Sequence, residues 1–343
     1  MADDRIPVTL LTGFLGSGKT TLLNAWLRTP DLADAAVIVN EFGEVGIDHA
    51  LIASSNDNTI ELSTGCLCCT VRGDLVNTLR ELIVRREKGE VRAFSRVLIE
   101  TTGLADPAPV IQALMTFPVA RRFRLRQVVT TVDAVNGVAT LANHQESVKQ
   151  VAVADELILT KVDVGATDEG IVASPRQINR GARFHRSALD NITMPDDLET
   201  IDIYDPATKS EDVTRWLNAE AHAAHHDHGH DHHHDVTRHG ADISSFVFEF
   251  KSPLHWEHVA NWLDALVMGN GQDLLRVKGI VDIIGRPRPI VIQAVQSLLH
   301  PPFELPAWPE GPRTSRIVFI TRRLSRAYVE EVFDTIRQRA PAA

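Results

Sequence analysis

All three cysteines of the chain lie within four consecutive positions, at Cys66, Cys68 and Cys69. A thiolate is a soft ligand, and Zn²⁺ bound by cysteine sulfur prefers a tetrahedral shell of four ligands. Three thiols on one segment leave at least one position open, whereas a structural zinc site is usually closed by two spaced pairs on separate segments. The pattern therefore favours a site that releases its ion, with Glu44 as a candidate extra ligand.

Two other interpretations of the cysteine segment stay open. Its thiols could form a redox-active vicinal or near-vicinal disulfide. They could also be small side chains that merely fit a turn facing phosphate groups. For Glu44, the alternative is an acidic residue in a solvated loop.

A second segment matches the phosphate-binding loop pattern without a gap. Its glycines allow backbone N–H groups to surround phosphates, and the N-terminus of the following helix favours anions. Lys19 is expected to reach the β- and γ-phosphates, and the Thr20 hydroxyl to bind Mg²⁺. A chance glycine-rich turn is the alternative. The segment consists of Gly13, Phe14, Leu15, Gly16, Ser17, Gly18, Lys19 and Thr20.

Two polar strand ends complete the predicted nucleotide site. Glu100 follows an apolar run and precedes a glycine by three positions, so it could hold Mg²⁺ through water or orient the attacking water. Asp163 closes the sequence Thr160, Lys161, Val162, Asp163, and its carboxylate can accept two hydrogen bonds that guanine offers and adenine does not. The alternatives are an acid at a solvated strand end for Glu100 and a helix N-cap for Asp163.

Histidines form a third distinctive segment, with nine of the fifteen lying between His222 and His239. Interleaved with Asp and Gly, they offer many imidazole ligands for Zn²⁺, Ni²⁺, Co²⁺ or Cu²⁺. The run has no apolar surface to bury, which predicts a linker that collects metal ions. A solvated spacer is the alternative.

The elements that must position these residues alternate apolar, β-branched runs with amphipathic stretches. This order predicts an α/β domain with a mostly parallel sheet covered by helices on both faces. Strands are predicted at residues 8–12, 36–40, 96–100, 127–132 and 156–160, and helices at 20–28, 71–86 and 211–225. A small α+β domain follows, with strands at 246–250, 274–284, 289–295 and 316–321 and helices at 256–268 and 325–338.

Length, charge and hydropathy limit the number of domains, the class of partner and the location of the protein. A length of 343 residues suits two domains, here 1–221 and 241–343 joined by a histidine-rich linker at 222–240. The net charge of −10 argues against a nucleic-acid partner. No apolar run is long enough to span a bilayer and no targeting segment opens the chain, so we expect a cytoplasmic protein with reduced thiols and no membrane contact.

Together these segments resemble the CobW/YjiA-type family of P-loop GTPases over nearly the whole chain. The resemblance rests on the phosphate loop, on the blocks 40–48, 61–75 and 100–107, and on residues 275–279 and 292–295 in the C-terminal part. The cysteine block is highly specific to this family, whereas the phosphate loop alone is not. The resemblance implies a GTPase domain followed by the family's small C-terminal domain.

The resemblance further implies a GTP-dependent metallochaperone that carries Zn²⁺ in its GTP-bound state and hands it to a metal-requiring client on hydrolysis. By position, Cys66, Cys68 and Cys69 would be the metal ligands, and Asp48 would bind Mg²⁺ or the attacking water. The residues that would contact nucleotide are the phosphate loop, Cys69, Thr70, Val71, Arg72, Gly73, Thr160, Lys161, Val162 and Asp163. Two positions depart from the pattern: Val39 replaces an acid of some relatives, and Thr160 replaces the usual Asn.

Other activities stay open within and beyond the family. Co²⁺ or Ni²⁺ could replace Zn²⁺, and cobalt delivery in cobalamin synthesis or activation of a nitrile hydratase are alternatives, because thiolate and imidazole bind several ions. A metal buffer with a regulatory nucleotide site and an ATP-using kinase are the remaining alternatives. A homodimer that depends on nucleotide or metal is a further expectation.

Overall fold

The computed structural model describes residues 4–32, 34–42, 59–64, 70–164, 169–188, 242–309 and 313–339. The chain divides into two compact units, Met1–Val172 with Arg183–Tyr204, and Ala173–Ala182 with Asp205–Ala343. The limits predicted from the sequence, 1–221, 222–240 and 241–343, fall at residues outside the described ranges and stay a prediction.

A parallel sheet organises the first unit. Its seven described strands follow the order β3-β2-β4-β1-β5-β6-β7, and every pair is parallel. The strands are β1 (Ile6–Gly13), β2 (Ala35–Phe42), β3 (Thr59–Thr64), β4 (Arg96–Glu100), β5 (Phe123–Asp133), β6 (Glu156–Thr160) and β7 (Arg183–Arg186). The helices of this part of the chain are α1 (Lys19–Trp26), α2 (Thr70–Glu87), α3 (Ala108–Met115), α4 (Gly137–Asn143), α5 (Gln145–Val153) and α6 (Glu169–Ile178).

The apolar strands are buried as expected for a sheet with covered faces. Every residue of β6 is buried, as are the last four of β4. The predicted α/β class is confirmed, and each strand predicted in this unit is present. Helix α1 packs Leu22, Leu23 and Trp26 into the core, each about 1% exposed, and each contributes roughly 1.5–3 kcal/mol by burial. This packing fixes the helix that follows the phosphate loop.

The second unit contains an antiparallel sheet, with strands in the order β11-β10-β9-β13-β8 and β12 paired to β10. The strands are β8 (Ile243–Phe250), β9 (Leu274–Val281), β10 (Ile290–Val295), β11 (Leu298–Leu299), β12 (Phe303–Glu304) and β13 (Ser315–Arg322). Helices α7 (Trp256–Asn270) and α8 (Arg326–Arg339) pack on one face. The predicted α+β class is confirmed, although β9 ends three residues earlier than its apolar run suggested.

Aromatic rings fill the core of the second unit. Trp262 is fully buried, and its ring lies 4.6 Å from that of Phe333 and 5.3 Å from that of Phe319 between centroids. Its indole N–H donates to Val329 O at 2.9 Å, which satisfies the polar atom that burial would otherwise penalise. Within the described part of the chain, no helix has both the length and the hydropathy that crossing a bilayer requires.

Candidate nucleotide site

The phosphate loop connects the end of β1 to the start of α1. Gly13, Gly16 and Gly18 have φ of 143°, 68° and 86°, a region that suits glycine and strains other residues. Ser17 N donates to Phe14 O at 3.1 Å, which closes the turn. The loop sequence thus forms the curved backbone that the motif predicts, directly before a helix N-terminus.

Lys19 is folded back over this loop. The residue is only 7% exposed, and its Nζ donates to Phe14 O at 3.1 Å. A buried ammonium group is costly unless it is hydrogen-bonded. The amine is therefore held inside the curve of the loop, where the phosphate-loop lysine is expected.

Two threonines hold the loop from behind. Thr131, on β5, shares a hydrogen bond of 2.6 Å with the Ser17 hydroxyl, and Thr160, at the end of β6, donates to Ser17 O at 2.8 Å. Thr160 is 6% exposed, so its hydroxyl is committed to the loop backbone. The threonine that replaces the usual Asn thus supports the phosphate loop in this structure.

Glu100 and Thr20 meet beside the loop. Strand β4 pairs with β1 so that Glu100 lies opposite Leu11, and the Thr20 hydroxyl donates to Glu100 Oε1 at 2.6 Å. Glu100 is only 4% exposed, in contrast to the solvated strand end that is its alternative. A hydroxyl and a carboxylate at this position are the hard oxygen ligands that Mg²⁺ prefers, so the residues present fit the ion.

The chain that follows Glu100 lies directly against the phosphate loop. Thr101 donates from its hydroxyl to Thr12 Oγ1 at 2.8 Å, which joins this loop to β1. A Cβ placed on Gly103 would lie 2.5 Å from Leu15 N and 2.6 Å from Leu15 Cα. Only glycine permits this approach of two backbones.

On the base side, β6 ends at Thr160 and leads into a turn. Lys161 has φ of 58° and its Nζ lies 2.7 Å from Asp133 Oδ2. Asp163 is exposed in a turn at residues 162–164. Its carboxylate therefore lies at the protein surface, at the same edge of the sheet as the phosphate loop.

Asp133 connects this turn to the next loop. Burial alone would raise the pKa of its carboxyl, but hydrogen bonds from Lys161, from Val135 N–H and from Asn136 together hold that pKa below its ordinary value. The Oδ1 atom accepts from Val135 N at 2.7 Å. The carboxylate is thus an acceptor that orders the end of β5 beside the end of β6.

The predicted metal ligands fall largely outside the described residues. This applies to Cys66, Cys68, Cys69, Glu44 and Asp48. What the structure shows is where their segments begin: β2 and β3 pair in parallel with Phe42 opposite Thr64, so residues 43–48 and 65–69 follow neighbouring strand ends. Within the part of the chain that is described, no group of three or more His, Cys, Asp or Glu side chains could hold a metal ion.

Residues 70–73, which follow the cysteine block, and Val39, on β2, lie within the described part of the chain. Residues Thr70–Gly73 form the first turn of α2. A Cβ on Gly73 would meet no atom of the described residues within 4 Å. Val39, where some relatives carry an acid, is 6% exposed and packs in the hydrophobic cluster with Leu98. It supplies no metal ligand.

Sequence reasoning missed three residues of this site, Thr131, Asp133 and Gln150. Thr131 and Asp133 close an apolar strand, so the rule that draws attention to Glu100 and Asp163 could have found them. Gln150 lies within helix α5 and its Nε2 donates to Gly103 O and Ala105 O at 3.1 Å, but one polar residue among others in a helix gives no signal in the sequence.

Comparisons with known proteins agree with this geometry. Residues 7–186 match the CobW/HypB/UreG nucleotide-binding domain, and residues 243–337 match the cobalamin synthesis protein cobW C-terminal domain. The chain is 33% identical to the zinc chaperone YjiA of Escherichia coli, over 97% of this chain and 99% of that protein. It is 32% identical to the zinc chaperone CobW of Pseudomonas aeruginosa, over 95% and 90% of the two chains.

A solved structure supports the same relationship. The crystal structure of Zn(II)-bound YjiA GTPase from E. coli superposes with a TM-score of 0.70 at 28% identity, covering 98% of this chain and 100% of that one. The match extends through both units of the sequence. The chain therefore belongs to the CobW/HypB/UreG family of nucleotide-binding proteins.

Proposed function

We propose that this chain hydrolyses GTP and uses the state of the nucleotide to bind Zn²⁺ and pass it to a client protein. One observation carries the proposal: the phosphate loop and the segment that contains every cysteine start from the same edge of one parallel sheet. Strand β1 leads into the phosphate loop, and β3 ends at Thr64, immediately before that segment. The family assignment and the names of its relatives support it.

The phosphate loop and the cysteine segment start close together on the sheet. In the order β3-β2-β4-β1 the two strand ends are three strand spacings apart, about 14 Å. Strands β2 and β4 end between them, and β4 ends at Glu100. A change at the third phosphate can therefore reach the start of the cysteine segment across two neighbouring strand ends, as in switches that order or release loops.

Hydrolysis is assigned to the residues that surround the loop. Lys19 would hold the β- and γ-phosphates, and Thr20 with Glu100 would hold Mg²⁺, which would neutralise charge on the transferred phosphoryl group. Glu100 accepts the Thr20 hydroxyl at 2.6 Å, which orients its carboxylate beside the phosphate loop. Asp48 is proposed to bind the ion or the attacking water.

Guanine recognition is assigned to Asp163. Its exposed carboxylate follows the strand whose Thr160 supports the phosphate loop, so base and phosphates are read from adjacent positions. Two acceptor oxygens match the N1–H and N2 amine of guanine, and adenine offers no such pair. The Lys161 stem is proposed to lie over the base, and residues 69–73 to approach the nucleotide from the start of α2.

Zinc is the cargo in this mechanism. Cys66, Cys68 and Cys69 are proposed as its ligands, with Glu44 as an additional one, and the histidine run at 222–239 as a collecting tract. An incomplete thiolate shell suits transfer, because an incoming ligand of the client can occupy the open position. A homodimer that forms with nucleotide or metal stays a prediction.

The test is the Zn²⁺ affinity of the full chain, measured without oxygen against a competing chelator. The histidines of residues 222–239 are replaced by Asn so that only the cysteine site reports. We expect affinities in the GTP-analogue–Mg²⁺ and GDP–Mg²⁺ states to differ by about 5–150-fold, the usual range of coupling between sites. Cys66→Ser should remove the difference, and Lys19→Ala should give one affinity with either nucleotide.

Linkage adds an internal check. If GTP tightens zinc binding by a given factor, zinc must tighten GTP-analogue binding by the same factor. Equal zinc affinities in the two nucleotide states would refute the chaperone and leave a metal buffer or a GTPase with a structural or redox thiol cluster. Titration with Co²⁺ and Ni²⁺ in the same assay distinguishes the metal alternatives.

A further inference from the structure

Helix α5 lies behind the loop that follows Glu100. Gln150, in the middle of this helix, is fully buried. Its Nε2 donates to Gly103 O and to Ala105 O, both at 3.1 Å. An amide nitrogen has two N–H groups, so both donors are used on the carbonyls of one loop.

The same loop also contacts the phosphate loop. A Cβ on Gly103 would lie 2.5 Å from Leu15 N. Gly103 therefore contacts both the Gln150 amide and the backbone of Leu15. Its position is fixed by these two contacts, since glycine has no side chain of its own to anchor it.

Other contacts of α5 fix its own position. The Thr130 hydroxyl, on β5, donates to Gln150 O at 2.9 Å. Lys149 Nζ lies 2.6 Å from Asp106 Oδ2, at the end of the same loop. Before the helix, the His144 ring stacks on Phe14 with centroids 4.5 Å apart and planes at 29°. The helix thus contacts the phosphate loop and the loop after Glu100 at separate points.

We propose that Gln150 is a positioning residue that holds the loop after Glu100 against the phosphate loop, ready to meet the third phosphate of a nucleoside triphosphate. The inference rests on the proposed function, in which Glu100, at the start of this loop, holds Mg²⁺ beside the γ-phosphate. A loop that is ordered before binding loses less conformational entropy when the ligand arrives. A nucleoside diphosphate has no third phosphate to offer this loop, so Gln150 acts selectively on the triphosphate.

The experiment compares GTP-analogue and GDP affinities of the full chain carrying Gln150→Met. Methionine keeps the length and volume of the side chain and removes both donors. Two neutral hydrogen bonds predict a loss of roughly tenfold or more in GTP-analogue affinity, whereas GDP affinity should stay within about twofold. The turnover of GTP should fall with it.

A matched control lies one position along the same helix. Val151→Ala, at a residue 1% exposed, creates a cavity and lowers stability without removing a donor to the loop. It should leave the ratio of the two affinities unchanged. A Gln150→Met protein that loses affinity for both nucleotides equally, or for neither, would show that Gln150 has only a structural role.

A second variant keeps the proposal testable if Gln150→Met fails to fold. Lys149→Met removes the ion pair with Asp106, whose side chains are 22% and 28% exposed, so the fold should tolerate it. It should lower GTP-analogue affinity by about three- to fivefold and leave GDP affinity unchanged. An unchanged affinity ratio in this variant would contradict the proposal.

The proposed function, on which the inference about Gln150 rests, is tested separately by the variant Glu100→Gln. Normal hydrolysis in that variant would refute the role of this loop at the γ-phosphate, and with it the proposed function. Impaired hydrolysis in Glu100→Gln together with an unchanged affinity ratio in Gln150→Met would overturn only the inference about Gln150.

Discussion

Replacing Gly103 by Ala should selectively damage the response to GTP. The added Cβ would stand 2.5 Å from Leu15 N and 2.6 Å from Leu15 Cα, whereas real Cβ atoms essentially never approach within 3.0 Å. Both of these atoms belong to the backbone of the phosphate loop, so the clash with them cannot be relieved by rotating a side chain. One of the two loops must shift by about 0.9 Å for the nearest pair of atoms to reach ordinary contact at 3.4 Å.

The cost of that shift sets the expected magnitude. Forcing an extra carbon into a closely packed site costs about 1–3 kcal/mol. If the strain is relieved by separating the two loops, GTP-analogue affinity should fall by about fivefold to 150-fold. The change can be measured by titrating a fluorescent GTP analogue and, in parallel, fluorescent GDP, with steady-state phosphate release as a second readout.

Gly269→Ala provides the control, because it introduces the same atom near the exposed end of α7, where no atom of the described residues lies within 4 Å. It should leave both nucleotide affinities unchanged and stabilise the chain slightly, by about 0.5–1 kcal/mol. Gly103→Ala affinities and turnover indistinguishable from those of Gly269→Ala would refute the contact between the two loops and the reasoning built on it.

Three more outcomes are expected. Thr160→Val removes the hydrogen bond to Ser17 O and should weaken GTP and GDP binding alike, by about fivefold, with Thr160→Ser restoring both. Asp133 has a folded-state pKa below its ordinary value of 3.8, so its contribution to stability is present above that pH and lost as pH falls through the lower pKa. In Asp133→Asn, the free energy of unfolding measured with urea should therefore fall less steeply as the pH is lowered into the acid range. Thr20→Ala should lower Mg²⁺-dependent hydrolysis by roughly tenfold or more, measured by phosphate release.

The phosphate loop could be predicted because its conformation depends on residues next to one another. Glycines at positions 13, 16 and 18 permit the positive φ angles that the structure shows, and the apolar residues on either side predict the strand and the helix. Glu100 follows from a related rule, since a carboxylate that ends a buried parallel strand must emerge at the same edge as the loop.

The supporting residues could not be predicted because their roles depend on contacts between distant parts of the chain. Gln150 contacts carbonyls 47 and 45 positions away, and its type alone does not distinguish it from a solvated helix residue. Strand β3 escapes prediction because its short polar sequence lacks an apolar run, and its pairing with β2 defines it. Thr160 is a further example. The position of Thr160 in the sequence suggests a contact with the base, whereas in the structure its hydroxyl donates to the backbone of the phosphate loop.

The two hydroxyl contacts on Ser17 also bear on how the protein is made. Ser17 is joined to Thr131 and Thr160, which follow it by 114 and 143 positions. A nascent chain that has emerged only as far as α2 already contains the complete phosphate motif but neither of these supports. We therefore expect the ability to bind nucleotide to arise late in synthesis, after β5 and β6 have joined the sheet. Nucleotide that binds at that moment stabilises the finished sheet by mass action, so GTP would stabilise the fold before it acts as a substrate.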